Sequence, residues 1–167
     1  LAQFGIDEVA HKKFLNDYFT GKGYNSDSRG ELYNDDPRLG DARLCGTTAS
    51  LSGLEAGQYE ANADKIDQAI SCDLMLHGYL LAQSGIPVLY SGDEIGQTND
   101  YSYKNDPDKC ADSRYLHRGN FPWDKVEKKD AVAMRIFDAL RHMEEIRASH
   151  DVFSCNANVY TIETGCA

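Results

Sequence analysis

Basic residues are scarce in this sequence, and it has no long apolar run. The 17 Lys and Arg residues are outnumbered by 27 Asp and Glu residues, which gives a formal net charge of −10. Binding to nucleic acid or to an anionic membrane surface needs clustered Lys and Arg, so this balance argues against both partners. No apolar run comes near the roughly 20 residues that a membrane-spanning helix needs. We therefore expect neither a nucleic-acid partner nor a membrane partner.

Paired cysteine motifs are also missing. The five cysteines are Cys45, Cys72, Cys110, Cys155 and Cys166, and none of them forms a Cys-x-x-Cys pair. Without such pairs a zinc site is not expected. The odd count and wide spread are typical of reduced thiols in a cytoplasmic protein, and they leave room for one disulfide. The sequence also has no phosphate loop and no nucleotide-binding motif.

The composition itself is that of a globular protein. The chain has 167 residues, of which 41% are hydrophobic and 26% are charged, and this fits one domain of ordinary size. It begins with Leu1 rather than Met and has no charged-then-apolar leader. We therefore expect that an upstream portion precedes it.

Three stretches have the apolar spacing of amphipathic helices. They are residues 6–20, with Asp7 as N-cap, residues 62–84 and residues 130–147. The apolar stripe of residues 62–84 is broad, which predicts that this helix packs against a sheet. His77 lies on that stripe and is expected to be a buried core histidine rather than a ligand.

Strand and loop signals fill the rest of the chain. Residues 86–90 read IPVLY, a continuous apolar run that is typical of a parallel strand buried on both faces. Residues 159–162 predict a second strand, and the polar residues 21–41 and 91–125 predict two long loops. A buried parallel strand needs neighbours on both edges, so we expect the remaining strands outside this chain or in another copy.

A twelve-residue motif carries a resemblance to a known family. Residues 85–96 read GIPVLYSGDEIG, which resembles the last-strand motif of glycoside hydrolase family 13, the α-amylase family. Residues 98–103 (TNDYSY) and 112–118 (DSRYLHR) are similar to the strand-eight loop of the amylosucrases in that family. Residues 11–16 (HKKFLN) and 40–47 (GDARLCGT) are similar to their insertion after strand seven. The resemblance covers nearly the whole chain.

The resemblance implies an α/β fold, namely a fragment of a (β/α)8 TIM barrel with the start of a C-terminal β domain. Residues 1–57 match the insertion after strand seven. Residues 58–148 match helix seven, strand eight, loop eight and helix eight, and residues 149–167 match the start of a β-sandwich. Barrel sites lie at the C-terminal ends of the strands, where Asp93 and Glu94 fall. Since a partial barrel has open sheet edges, we expect the chain to self-associate.

The activity implied by the resemblance is glucosyl transfer from sucrose to an α-glucan, with retention and without a cofactor. Such enzymes use an Asp nucleophile, a Glu acid/base and a second Asp. All three match positions before Leu1, so no catalytic residue and no activity are expected in this chain alone. Asp93 and Glu94, as neighbours on a strand, would point to opposite faces and could not address one sugar. A related α-glucosidase, a sucrose hydrolase and a non-catalytic carbohydrate-binding module remain alternatives.

Six residues are implied to bind sucrose or α-glucan oligosaccharides. Arg114 matches an Arg that pairs with an Asp from the first half of the barrel and closes the pocket floor. Arg43 matches an Arg on the acceptor side, and Lys12 stands where an Arg often contacts more distant sugar units. The loop over the site supplies the other three, which are Asn99, Asp100 and Tyr101. For the other five residues a structural role, such as a surface ion pair or loop ordering, is the alternative, whereas a Lys at position 12 keeps the charge and loses the planar fork of Arg.

Overall fold

The computed structural model describes residues 1–160 and residue 162 as a mixed structure of helices and one two-stranded sheet. In chain order the elements are α1 (Glu8–Phe19), β1 (Glu31–Asp36), β2 (Asp41–Cys45), α2 (Thr48–Leu51), α3 (Leu54–Tyr59), α4 (Ala63–Leu81), α5 (Trp123–Glu127) and α6 (Ala131–Ser149). Short 3₁₀ turns cover Ala2–Phe4, Asp93–Ile95, Tyr101–Asn105, Ser113–His117 and Asp151–Phe153.

The three predicted helices are confirmed as α1, α4 and α6, and each begins at a polar N-cap. Asp7 accepts a hydrogen bond from the main-chain N–H of Ala10 (2.7 Å). Asn62 and Asp130 cap α4 and α6 in the same way. These caps satisfy main-chain donors that the first helical turn leaves unpaired.

The core lies where α4 packs against α3 and α6. Its buried side chains are Ala49, Leu54, Ala69, Ile70, Ile136 and Leu140. Full burial of one large apolar side chain stabilises the fold by about 1.5–3 kcal/mol. The predicted partner of α4 was a sheet, and that prediction is wrong for the described residues, because α4 packs against helices there. His77 is buried on α4 as expected, with 4% of its surface exposed.

Residues 21–41 are not the plain loop that their polar composition predicts, because they contribute to an antiparallel hairpin. Leu32 lies opposite Leu44, and Tyr33 lies opposite Arg43. The register is irregular between Tyr33 and Asp36, where Asn34 has a positive φ of 52°. The strand β1 reads ELYNDD. Its Asn and Asp residues have low strand propensity, so the sequence pattern did not predict a strand here.

Residues 86–90, predicted to be a buried strand, are not in a strand in the described structure. Ile86 and Val88 are 83% and 76% exposed, so within the described residues this segment is not covered on both faces. Exposure nevertheless alternates, with Pro87 and Leu89 half-buried. A strand needs a neighbour to pair with, and no main-chain hydrogen bond joins residues 86–89 to any other described residue.

The connection before residues 86–90 is held by α6. The guanidinium of Arg147 donates to the main-chain carbonyls of Leu81, Gln83 (2.9 Å) and Gly85 (2.8 Å). The second predicted strand, residues 159–162, is not seen either, since Val159, Tyr160 and Ile162 are outside any strand. Thr161 lies outside the described residues, as do residues 163–167 of the predicted β domain.

Candidate functional site

Two 3₁₀ turns of the long segment 91–125 pack onto one face of the hairpin. Directly opposed residues of an antiparallel pair point to the same side. The hairpin face defined in this way carries four side chains, those of Glu31, Tyr33, Arg43 and Cys45. Lys104 Nζ lies 2.5 Å from Glu31 Oε1, and the Tyr103 hydroxyl donates to the same carboxylate. Ser113 Oγ donates to the main-chain carbonyl of Leu32 (2.9 Å).

Arg114 is held on the hairpin face by a carboxylate and by an aromatic ring. Its Nε and Nη2 donate to Asp112 Oδ1 (2.8 Å) and Oδ2 (2.7 Å). The guanidinium carbon lies 4.5 Å from the centre of the Tyr33 ring, which is within cation–π range. The bidentate pair lowers the pKa of Asp112 to about 2 and raises that of Arg114. Among the described residues Nη1 has no hydrogen-bond partner, so it can still donate to a ligand.

Arg43 lies on the same hairpin face as Arg114. It is directly opposite Tyr33, its side chain is exposed, and no ion-pair partner for it is found among the described residues. Two arginines from motifs that are far apart in the sequence thus lie on the same face of the hairpin. Arg114 packs over the ring of Tyr33, and Tyr33 is the residue directly opposite Arg43 in the hairpin.

Lys12 has a structural role that the sequence did not predict. Its Nζ lies 2.7 Å from Glu8 Oε1 and 2.8 Å from Asp41 Oδ1, which joins α1 to the start of β2. These two carboxylates raise the pKa of Lys12. The expected contact with a sugar therefore competes with two ion pairs that the ammonium group already makes.

Asn99 is fully engaged by the protein itself. Its side-chain Oδ1 accepts from the main-chain N–H of Thr47 (2.9 Å), and its Nδ2 donates to the main-chain carbonyl of Arg29. Its own main-chain N–H donates to Ser50 Oγ (2.9 Å). The expected role in sugar binding is not supported by these contacts, which make Asn99 a cross-link between three segments.

Tyr101 is fastened to α3 through Glu55. The Tyr101 hydroxyl donates to Glu55 Oε1 (2.7 Å), and Ser50 Oγ donates to Glu55 Oε2 (2.6 Å). Burial raises the pKa of Tyr101 to about 12, so its hydroxyl stays protonated at neutral pH. The ring is still 40% exposed, so one part of Tyr101 supports the loop and another part remains open to a ligand.

The side chain of Asp100 packs directly against Gly119. Its Oδ1 caps the next turn by accepting from the main-chain N–H of Ser102 (2.8 Å). A Cβ added at Gly119 would lie 2.6 Å from Asp100 Cβ, so only glycine fits there. Asp100 Oδ2 accepts no hydrogen bond from the described residues, which leaves it free for a hydroxyl donor.

Asp100 also separates two small cavities. The loop cleft, as we name the first, has a volume of about 260 Å³ and is lined by Gln97, Thr98, Asn99, Asp100, Tyr101, Asn120, Pro122 and Lys125. The second has about 190 Å³ and lies on the side of Tyr103 and Arg118. Both are small, since typical ligand pockets measure about 300–1,000 Å³. Three of the six predicted residues thus line one cleft, whereas Arg43 and Arg114 lie on the hairpin face.

A buried cluster of ionisable groups was missed by the sequence analysis. His77 Nδ1 lies 2.9 Å from the main-chain carbonyl of Asp73, and His77 Nε2 lies 3.5 Å from Asp93 Oδ2. The carboxylates of Asp73 and Asp93 raise the pKa of His77 to about 10. The spacing of Asp73 and His77 along α4 was a usable signal, but the contact with Asp93 is long-range.

Asp93 and Glu94 do not face a common cleft, as expected, but the reason differs. They lie in the 3₁₀ turn Asp93–Ile95 rather than on a strand. Asp93 faces His77, whereas Glu94 Oε2 accepts from the main-chain N–H of Gly92 (2.8 Å). Both carboxylates therefore have structural partners.

A comparison with models of known protein families found no match. Within residues 1–160 and residue 162, no helix is long and apolar enough to cross a membrane. The same part of the chain has no group of three or more His, Cys, Asp or Glu residues arranged to hold a metal ion. The described cysteines are free, and Cys166 lies outside the described residues.

Proposed function

We propose that this chain forms part of the carbohydrate-binding surface of a glucosyl-transferring enzyme similar to the amylosucrases of the α-amylase family. The observation that carries the proposal is that Arg43 is paired with Tyr33 in the hairpin and Arg114 packs over the Tyr33 ring, so both arginines lie on one hairpin face. These arginines come from residues 40–47 and 112–118, two segments that are far apart along the chain. Their convergence is what a shared binding surface requires.

The groups left free on the hairpin face and in the loop cleft suit a sugar. Arg114 Nη1 and the exposed Arg43 offer hydrogen-bond donors, Asp100 Oδ2 offers an acceptor, and the Tyr101 ring offers an apolar face. Sugar hydroxyls pair with such donors and acceptors, and a charged partner contributes about 1.5–3 kcal/mol before solvent screening. Since these groups are partly exposed, we expect dissociation constants in the millimolar range, about −4 kcal/mol of binding free energy.

The parent enzyme would transfer glucose from sucrose to an α-glucan with retention. In this proposal residues 86–90 are strand eight of a TIM barrel, and the other strands and the three catalytic carboxylates belong to other parts of the barrel. A related α-glucosidase or sucrose hydrolase would use the same donor site with water as acceptor. The chain alone should release no fructose from sucrose. Measurable release would contradict the proposal that the catalytic carboxylates belong to other parts of the barrel.

A non-catalytic carbohydrate-binding module is a second candidate, and a specific observation favours it. Two carboxylates near the hairpin face and the loop cleft already have partners inside the chain: Asp112 binds Arg114, and Glu55 binds Tyr101. Carboxylates that are committed in this way are poor nucleophiles or proton donors. Sugar binding without catalysis is therefore what the chain alone is expected to show.

The proposal is tested by titrating ¹⁵N-labelled protein with maltotriose and with sucrose while recording amide shifts. We expect shifts in residues 97–103 and 112–118 and at Arg43, and none with the β-linked sugar cellobiose. Arg114→Lys should weaken binding about fivefold or more, because Lys keeps the charge and loses the planar fork. Arg135→Lys is the matched control, since Arg135 pairs with Asp67 at an exposed position. Equal effects of the two variants, or no shifts with any α-linked sugar, would refute the proposal.

A further inference from the structure

Both ring nitrogens of His77 face atoms that can only accept hydrogen bonds. Nδ1 lies 2.9 Å from the main-chain carbonyl oxygen of Asp73, and its distance to Asp73 Oδ2 is 3.4 Å. Nε2 lies 3.5 Å from Asp93 Oδ2. A neutral imidazole carries one N–H and would turn a lone pair toward one of these oxygens. The imidazolium form, with a proton on each nitrogen, removes that repulsion.

The surroundings leave His77 few other partners. His77 and Asp73 are 4% and 1% exposed. The charged groups that act on His77 are Asp73 and Asp93, and α6 faces α4 with the apolar side chains of Ile136, Leu140 and Met143. Neither oxygen of the Asp73 carboxylate has a hydrogen-bond partner among the described residues. A buried carboxylate without a hydrogen bond is costly unless a cation lies close by, and His77 supplies that cation.

Asp93 connects this cluster to the loop cleft. It lies in the turn Asp93–Ile95, and the next residues lead into the cleft lining at Gln97 and Asn99. The main-chain N–H of Gln97 donates to the carbonyl of Gly92 (2.9 Å), which ties the cleft side of the loop to the turn. Gly92 has a φ of 101°, and the Gln97 side chain lies so close to it that a Cβ at this position would clash, so the turn and Gln97 are packed together. Whatever holds Asp93 therefore also holds the start of the site loop, residues 97–101.

We propose that His77 is a doubly protonated latch that fastens helix α4 to the site loop through Asp93 and releases it when the imidazolium loses a proton. Burial lowers the pKa of a histidine, whereas the two nearby carboxylates raise it, and here the carboxylates dominate and bring it to about 10. The latch is therefore closed at neutral pH and opens only in alkaline solution. This proposal concerns how rigidly the site loop is held, and it does not depend on whether the cleft binds sugars.

The protonation state is tested directly on the unmodified protein. Nitrogen-15 spectra of the imidazole rings should show a proton on both nitrogens of His77 at about pH 7.5, where an ordinary histidine is mostly neutral. The His77 signals are assigned by their loss in His77→Gln. A neutral His77 ring at that pH would overturn the proposal, and the ring is observed in the unmodified protein.

The mechanical link is tested with two isosteric variants at neighbouring positions. Asp93→Asn removes the charge that faces His77, whereas Glu94→Gln changes a carboxylate that caps Gly92 and does not face His77. At neutral pH we expect amide hydrogen exchange in residues 92–101 to be about tenfold faster in Asp93→Asn, and within about twofold of the parent in Glu94→Gln. Exchange in the middle of α6 serves as the internal reference. Equal exchange of the loop in both variants would show that the contact between His77 and Asp93 does not hold the loop.

Discussion

At the residue scale, most side chains predicted to bind sugar have partners inside the protein. Asn99 donates to and accepts from main-chain groups, and Lys12 makes two ion pairs. Tyr101 gives its hydroxyl to Glu55. Partly buried polar groups need such partners, because an unpaired one costs about 1–3 kcal/mol. Residue type alone therefore did not distinguish a ligand contact from a structural one.

Asn99→Ala should destabilise the protein by about 2 kcal/mol, because it leaves the main-chain groups of Thr47 and Arg29 without their partner. Urea unfolding followed by circular dichroism measures this change. Asn105→Ala, at an exposed position of the same loop, should stay within about 0.5 kcal/mol of the parent. Equal stability of the two variants would show that the Asn99 cross-link does not contribute.

Stability should fall with rising pH because of His77. The pKa of His77 is raised from its ordinary 6.5 to about 10 in the folded state. Its contribution is therefore complete below about pH 6.5 and is lost as the pH rises toward about 10. The loss should be on the order of 5 kcal/mol across that interval. Urea unfolding at several pH values measures it, and His77→Gln should flatten the curve. An unchanged slope in the variant would contradict the assignment.

At the scale of elements, local signals predicted the helices and failed for the hairpin. Helix periodicity and N-caps such as Asp7 depend on residues close in sequence, so they can be recognised without a structure. Strand β1 is a polar segment whose identity depends on pairing with β2, and pairing leaves no mark within a single segment. Residues 86–90 show the reverse case: their apolar pattern predicted a strand, but no described neighbour pairs with them.

Most contacts in the candidate site could not be predicted from the sequence either, because they join residues that are far apart along the chain. Of the residues that the motifs proposed, Arg43, Arg114 and Asp100 have free polar atoms in the described structure. The contacts of Arg114 could not be foreseen, because Tyr33 is contributed by the unrecognised strand and Asp112 pairs with Arg114 within the chain. Site geometry is set by long-range packing, which a spacing pattern does not contain.

Tyr33→Ala should loosen the link between the hairpin and the turn Ser113–His117. It removes the ring against which Arg114 packs, and an exposed cation–π contact contributes about 0.5–1 kcal/mol. With the lost packing we expect a total loss of about 1–2 kcal/mol in urea unfolding. Tyr33→Phe keeps the ring and should retain nearly full stability. A loss of the same size in Tyr33→Phe would assign the effect to the hydroxyl instead.

At the scale of the whole molecule, α4 is apolar on more than its core side. Met75, Leu76 and Tyr79 are 64%, 47% and 71% exposed, although the opposite side of the helix is buried against α3 and α6. A helix that is apolar all round is typical of a buried position. Ile86 and Val88 add further exposed apolar surface. The described surface therefore resembles one that is covered by another part of a larger assembly.

We expect the isolated chain to self-associate through this apolar surface. Light scattering should give an apparent mass above the 18.6 kDa of one chain and rising with concentration. Val88→Lys should shift the equilibrium toward the monomer by placing a charge among apolar side chains. Tyr24→Lys, at a separate loop position that is 92% exposed, is the control and should have little effect. A compact monomer at all concentrations would contradict this prediction.

The cross-link made by Asn99 has a consequence for the order in which the molecule assembles. Its partners Thr47 and Arg29 are 52 and 70 residues away along the chain. Closing such long loops has an entropic cost that short-range helices do not bear, so these contacts form late. We therefore expect the helices to form first and the loop cleft last. We expect heating to reverse this sequence, so that the cleft opens while the helical core is still intact.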